Sequence, residues 1–247
     1  MYQFLKNVAK ALIPKQVLVA NEDFFRGILK SFYREGEYEC SVCENSIKHF
    51  IQDNTGELCP LCGSLPRSRF LKHIVFNKYK DGGQKLLHFS PQRRLKQEFR
   101  KLFNAYESAD FEPGKEDLQL DIQNTGLADD SFDLIICFHV LEHVPEDRKA
   151  ISELYRILKK GGTVLLQVPF RDGDTIEDPE VTDPQHRLQL FGQEDHVRWY
   201  GFNDFKGRIE AAGFQCELIR ADKEMNEELR LKNGINADQR VIAARKL

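Results

Sequence analysis

From Phe132 to Phe170 the apolar residues change period twice. Phe132 to Phe138 is a short Ile-rich run bounded by polar residues, the pattern of a strand covered on both faces in a parallel sheet. Ile151, Leu154, Ile157 and Leu158 then recur at spacings of three and four, which predicts an amphipathic helix. Pro145 is placed in its first turn, with Glu146 and Asp147 at the positive end of the dipole, and Lys159, Lys160 and Gly161 at its C-terminus. Thr163 to Val168 is the next strand. Two parallel strands joined by a helix put a ligand beyond their carboxyl ends, here His139 to His143 and Pro169 onward.

The same periods extend over the rest of the chain. Phe4, Val8 and Leu12, and then Phe24, Phe25, Ile28, Leu29 and Phe32, mark two helical stripes separated by Pro14. They are basic enough for a membrane surface or a partner, but amphipathic stripes mostly bury against their own domain, and packing helices are the expectation. Arg67 to Tyr79 predicts a linking helix, with Asp81, Gly82 and Gly83 as a turn. Lys85 to Phe89 is a strand, followed by a helix with Ser90 as its cap and Pro91 as its first residue. Ala105 to Ala109 and Asp117 to Leu120 are further strands, and Asp129 to Ser131 turn into the next one. Asn203 caps a helix ending at Gly213, Phe214 to Ile219 is a strand, and Arg240 to Arg245 is the last. Residues 1–36 are therefore N-terminal helices, 37–66 a cysteine module, 67–84 the linking helix, and 85–247 one α/β domain with an insertion at 171–201.

A formal charge of -3, with 41% apolar and 30% charged residues, gives no strong field for nucleic acid. No apolar run approaches the roughly 18 residues of a membrane span, and the N-terminus lacks a secretory signal's order of basic, apolar and small residues, so a cytoplasmic location is expected.

Cys40 and Cys43, then Cys59 and Cys62, form two CxxC pairs. That spacing is the signature of a zinc ribbon closing a tetrahedral four-sulfur site, with a redox pair or chance spacing as the alternatives. Such a site supplies folding energy to a segment too small to bury a core. Glu37, Glu39, Glu44, Asp53 and Glu57 make the module acidic and a poor phosphate binder. Cys137 and Cys216, in apolar strands, read as core residues.

HVLEH, His139 to His143, matches the HxxEH order of an inverted zinc-protease motif. That motif needs a regular helix, whereas His139 follows a strand and Pro145 comes two residues after His143. A non-metal reading is preferred on this ground. The loop after Phe89 has no glycine, yet the helix N-terminus beyond it remains an anion site. Asp110 lies where nucleotide folds put an acid on ribose hydroxyls, and Asp121 closes the third strand. The insertion at 171–201 carries Glu177, Asp183, His186, Asp195, His196, Arg198, Trp199 and Tyr200, and reads as a lid over an acceptor site, or else as a structural flap.

The succession of strand, SPQ loop, Asp110, Asp121, FDLIICFHVLEHV and LKKGGTVLLQVPF resembles a class I S-adenosylmethionine-dependent methyltransferase from about Lys85 to Leu247. A subgroup with an N-terminal four-cysteine module is similar throughout. The resemblance implies a Rossmann-like, mostly parallel sheet with an antiparallel last strand and helices on both faces. It implies that His88, Phe89, Ser90 and Gln92 border the methionine end of the cofactor, that Asp110 holds the ribose, that Asp121 and Ile122 flank the adenine, and that His139 lines the cleft. The first loop departs from the family, which has an acid and several glycines there. Because S-adenosylmethionine presents no phosphate to that loop, the loss is milder than for a dinucleotide.

Methyl transfer from a sulfonium chiefly requires donor and acceptor in line, with a base when the acceptor carries a proton. His143, His196 and Asp195 are the candidate bases. The favoured acceptor is a small molecule or glycan precursor. The alternatives are an RNA methyltransferase that uses its cysteine module on nucleic acid, and a non-catalytic scaffold that kept the fold.

Overall fold

The computed structural model describes residues 13–14, 17, 21–53, 56–80 and 83–247. The first predicted stripe, Phe4 to Leu12, lies outside the described residues, as do Asp81 and Gly82. The chain divides into two compact units. One comprises residues 1–80, 92–98 and 220–239, and the other 81–91, 99–219 and 240–247. The boundary at 84/85 read from sequence is contiguous, whereas the observed division takes two later segments into the first unit.

In the first unit, helix α1 (Glu22–Tyr33) precedes two antiparallel hairpins, β1 (Arg34–Cys40) with β2 (Asn45–Ile47), and β3 (Ile51–Asp53) with β4 (Gly56–Leu58). The apolar stripe of α1 splits: Leu29 and Tyr33 are buried, while Phe24, Ile28 and Phe32 are exposed. Helix α2 (Pro66–Lys78) follows, with Pro66 in its first turn, where a missing N–H is harmless. Arg69 of α2 is fully buried, and among the described residues it has no carboxylate partner. Its guanidinium donates instead to the carbonyls of Asn233 (2.6 Å), Ser64 (2.7 Å), Glu57 (2.8 Å) and Gly234 (2.7 Å) and lies over the Phe50 ring. One fork of donors thus satisfies four carbonyls from three segments that have too little secondary structure to satisfy them by ladders.

The second unit is built on a seven-stranded sheet. Its strands in chain order are β5 (Lys85–Phe89), β6 (Ala105–Asp110), β7 (Leu118–Gln119), β8 (Phe132–Phe138) and β9 (Leu158–Gln167), with β13 (Gln215–Arg220) and β14 (Arg240–Arg245) near the C-terminus. Their spatial order is β13-β14-β9-β8-β5-β6-β7, with parallel pairing from β9 to β7 and β14 antiparallel to β9. Helix α3 (Arg93–Leu102) follows β5, and α4 (Asp147–Ile157) joins β8 to β9. After β9 come the short strands β10 (Phe170–Arg171) and β11 (Ile176–Glu177), helix α5 (Pro184–Phe191), strand β12 (Arg198–Gly201) and helix α6 (Phe202–Ala211). Two short helices of the first unit, α7 (Ala221–Glu224) and α8 (Glu227–Lys232), precede β14.

Side chains of β5 alternate between faces. Leu87 and Phe89 join the core that Ile151 and Leu154 of α4 and Phe205 and Ile209 of α6 complete, while His88 meets Phe99 of α3. Both faces of the sheet are therefore covered, which is why β8 reads as a nearly continuous apolar run.

Three local readings are corrected. Ser90 does not cap α3; the cap is Gln92, whose Oε1 accepts from Leu95 N at 3.0 Å. Asn203 lies inside α6, whose cap position is Gly201. Lys159, Lys160 and Gly161 belong to β9 rather than to the end of α4. There Gly161 takes a φ of +80° at an irregularity in the β8–β9 register, a conformation open to glycine.

Candidate functional site

Chain order runs outward from β5 in one direction to β6 and β7, then resumes on its other side at β8 and β9. The crevice at the carboxyl ends of β5 and β8 is thus the point where the topology switches, the place where open sheets of this kind hold ligands. Ser90 and His139, the residues directly after these two strands, both have positive φ, +44° and +55°. Left-handed backbone in a non-glycine residue is strained, and here it occurs on both sides of the switch point.

Ser90 Oγ donates to Asp110 Oδ2 at 2.9 Å, and Asp110 Oδ1 accepts from Glu112 N at 2.9 Å. Asp110 is half-buried at the end of β6 with its carboxylate fixed from two sides. Asp121 accepts from Gln123 N at 2.9 Å, and the neighbouring Ile122 is buried. His139 N donates to Gln167 O, tying the end of β8 to that of β9. Of the other residues predicted to border the cofactor, His88 is buried, with Nδ1 3.1 Å from the Tyr106 hydroxyl, and Phe89 lies in the core. Gln92, grouped with the first unit, has its amide nitrogen on Cys62 O at 3.0 Å and its oxygen capping α3.

The insertion at 171–201 is ordered around a small three-stranded sheet, β10-β12-β11. It is fastened to the Leu141–His143 turn and to α4. Val197 N donates to Glu142 O at 2.9 Å, and the buried Arg198 donates to the carbonyls of Leu141, Val144 and Pro145. The Tyr200 hydroxyl and Arg208 Nη1 both donate to Asp147 Oδ2, at 2.6 Å and 2.8 Å. Glu177 bridges Arg208 at 2.6 Å and Arg198 at 2.9 Å. Asp183 caps α5, accepting from His186 N at 2.8 Å, and His186 itself is exposed. Gly201 permits the tight fold of the insertion, since a Cβ there would stand 2.2 Å from the Gly173 carbonyl oxygen.

This docking brings together the three candidate bases. His143 Nδ1 lies 3.3 Å from both the carbonyl oxygen and Oδ2 of Asp195, and the His143 and His196 rings meet edge to face with centroids 4.7 Å apart. His196 is buried, and its Nδ1 is 3.0 Å from Phe191 O. Burial holds its pKa below the ordinary value, so the ring is neutral near pH 7. Sequence reasoning missed Glu142, which is 1% exposed beside this pair. It also missed the Asp147, Arg198, Arg208 and Glu177 network, whose members are far apart in the chain and share no local pattern. HVLEH is not on a regular helix but on a 3-10 turn, Leu141–His143.

In the first unit the four cysteines converge, with their sulfurs all within 4.8 Å of one another. Cys40 and Cys62 sulfurs are 3.6 Å apart and those of Cys43 and Cys59 3.9 Å. A tetrahedron with metal–sulfur bonds of about 2.3 Å has sulfurs about 3.8 Å apart. The donor set therefore fits a zinc ion in both chemistry and spacing.

Residues 88–166 match the family model described as Methyltransferase domain. The chain is 32% identical over 83 residues to an uncharacterized methyltransferase, YcgJ of Bacillus subtilis, covering 34% of this chain and 31% of the relative. It is 33% identical over 60 residues to a phosphatidylethanolamine N-methyltransferase of Cereibacter sphaeroides, covering 24% and 30%. The chain thus spans about a third of the length of the curated relatives it matches. The solved structure of the cyclase SpnF superposes with a TM-score of 0.54 at 17% identity, over 80% of this chain and 87% of that one. That of YcgJ gives 0.50 at 17%, over 72% and 98%. The fold is the Rossmann-like fold of class I methyltransferases.

The docking of the insertion makes a pH prediction. The Arg208 hydrogen bond, opposed by burial and reinforced by Arg198, draws the Glu177 pKa from an ordinary 4.5 down to about 2. A lowered folded value stabilises the protein fully above 4.5, and the contribution is lost as pH falls through about 2. With 39% of the Glu177 side chain exposed, the effect is screened and modest. Urea denaturation of the wild type and Glu177→Gln should show a stability gap that is constant above 4.5 and narrows toward pH 2. A gap independent of pH over that range would contradict it.

Proposed function

We propose that the chain is an S-adenosylmethionine-dependent methyltransferase acting on a small molecule or glycan precursor, with a structural zinc ion in its cysteine module. The observation that carries this reading is the methyltransferase-domain match over residues 88–166, in which Ser90, Asp110 and His139 stand at consecutive strand ends around the switch point. When bound, S-adenosylmethionine supplies an activated methyl group on a sulfonium.

The residues of this chain hold the donor and exclude water. Asp110, already oriented by Ser90, accepts from the ribose hydroxyls. Asp121 and Ile122 flank the adenine, one polar and one apolar. Ser90 and His139 border the methionine end. His88 and Phe89 support that loop from the core, and Gln92 fixes the start of α3. Where the acceptor is an O–H or N–H, His143 takes the proton at Nε2, with Asp195 on its Nδ1 favouring the imidazolium that forms. His196 packs edge to face against that ring. The near-neutral charge and the acidic cysteine module support a small acceptor over nucleic acid.

Calorimetric titration with S-adenosylhomocysteine tests the reading. Micromolar binding, about -8 kcal/mol, is expected, weakened at least about tenfold (1.4 kcal/mol) by Asp110→Ala. Absence of binding, or binding that Asp110→Ala leaves unchanged, would overturn it. For the cysteine module, elemental analysis should find one equivalent of zinc fewer in Cys59→Ser than in the wild type. Equal zinc in the two proteins would contradict a four-sulfur site.

A further inference from the structure

Glu142 presents an electrostatic problem that the fold leaves unsolved. Its side chain is 1% exposed, and among the described residues neither carboxylate oxygen accepts a hydrogen bond of acceptable geometry, although His139 Nδ1 lies 3.1 Å from Oε1. A buried carboxylate with no partner but that imidazole is strongly destabilising. Beside it, the His196 Nε2 is also buried and without a partner. One cation shared between these two adjacent buried groups would satisfy both.

We propose that Glu142, His143 and His196 bind a divalent transition-metal ion, with zinc as the reference case and at least one coordination position left open. Their ligand atoms all lie within 4.8 Å of one another. A tetrahedral site with bonds of about 2.0–2.1 Å needs a spacing of about 3.3 Å, so the three side chains would draw together on binding.

The hydrogen bonds around both rings favour this use. His196 Nδ1 points at the Phe191 carbonyl, so it carries the proton and leaves the Nε2 lone pair facing inward. His143 Nδ1 is engaged by the carbonyl and carboxylate of Asp195, which likewise leaves Nε2 as the basic nitrogen. A ring N–H given to a backbone carbonyl or carboxylate is the usual outer support of a metal-bound histidine, fixing its tautomer and raising its basicity. The burial that keeps His196 neutral suits a ligand, because only the neutral ring has a lone pair to give. Two imidazoles and one carboxylate suit borderline ions such as Zn²⁺ or Fe²⁺ over Mg²⁺ or Ca²⁺.

One ligand, His196, comes from the insertion and two from the Leu141–His143 turn, so the ion would cross-link the two. Three protein ligands leave a position for water or for an oxygen or nitrogen of an acceptor. The open position would lie beyond the end of β8, on the ligand-binding edge of the sheet. A bound ion there would lower the pKa of an acceptor hydroxyl and so take over the proton-removing role that His143 Nε2 has in the metal-free protein, since a ligating nitrogen has no lone pair left for a proton. The metal proposal itself stands on Glu142 and the two histidines and does not depend on the methyltransferase reading.

Equilibrium dialysis of the full chain against Zn²⁺ is the test, on wild type, Glu142→Gln and His196→Gln, each checked for folding by circular dichroism. The wild type should hold one equivalent more than either variant, and Asp195→Ala should keep that equivalent with affinity about 10- to 100-fold weaker. Zinc should also raise the melting temperature of the wild type further than that of Glu142→Gln. Glu142→Gln is nearly isosteric and removes a buried charge, so it decides the matter even if His196→Gln does not fold. Equal zinc equivalents at equal affinity in wild type and Glu142→Gln would overturn the proposal, whatever the outcome of cofactor titrations.

Discussion

The buried carboxylate of Asp147 is the point on which the candidate site depends. Two guanidiniums and a phenol converge on it: Arg208 at 2.8 Å, Tyr200 at 2.6 Å and Arg198 at 3.9 Å. Taking these charges out of water is expensive, and the arrangement is stable only because each has several partners. Arg198 spends its remaining donors on three carbonyls of the Leu141–Pro145 stretch, and Arg208 on Glu177 and Asp204. The insertion is consequently not a flap resting on apolar surface. It is fixed in register, and that register sets His196 against His143.

Around this anchor the sheet sets the strand ends and the insertion brings His196 and Asp195 beside them. The strained residues Ser90 and His139 mark where β5 and β8 stop and the chain parts to either side. Strain of this kind persists where the surroundings over-determine it, here through Ser90 N on Ala109 O and His139 N on Gln167 O. Asp110 inherits its orientation from the first of these turns, and the Glu142 turn follows directly from the second.

Much of the sheet was legible because its signals are local. The Phe132–Phe138 run, the spacing of Ile151, Leu154 and Ile157, and an acid at the end of β6 each reflect the period or the end of one element. Readings that turned on a choice between neighbours went less well. Gln92 rather than Ser90 caps α3, because Ser90 is diverted to Asp110. Gly161 enters a strand irregularity, because its N–H bonds to Lys246 O from the far end of the chain. The grouping of residues 92–98 and 220–239 with the N-terminal unit had no local signal at all. Nor did the Arg69 fork, whose four acceptors lie in three separate segments. At the candidate site, His143, His196 and Asp195 were each named from the sequence, but their being neighbours was not legible there. Glu142 was hidden inside a motif that reads correctly only once the turn replaces the helix.

Amide hydrogen exchange at Val197 reports whether the Asp147 network holds the insertion in place, because this N–H donates across to Glu142 O and is protected only while the insertion is docked. In the wild-type protein without ligand this amide should exchange slowly, in step with its neighbours in β12. In Asp147→Asn it should exchange markedly faster, while the amides of β8 keep their protection. Rapid exchange of Val197 in the wild type, at the rate of an open loop, would contradict an insertion held in place by the Asp147 network.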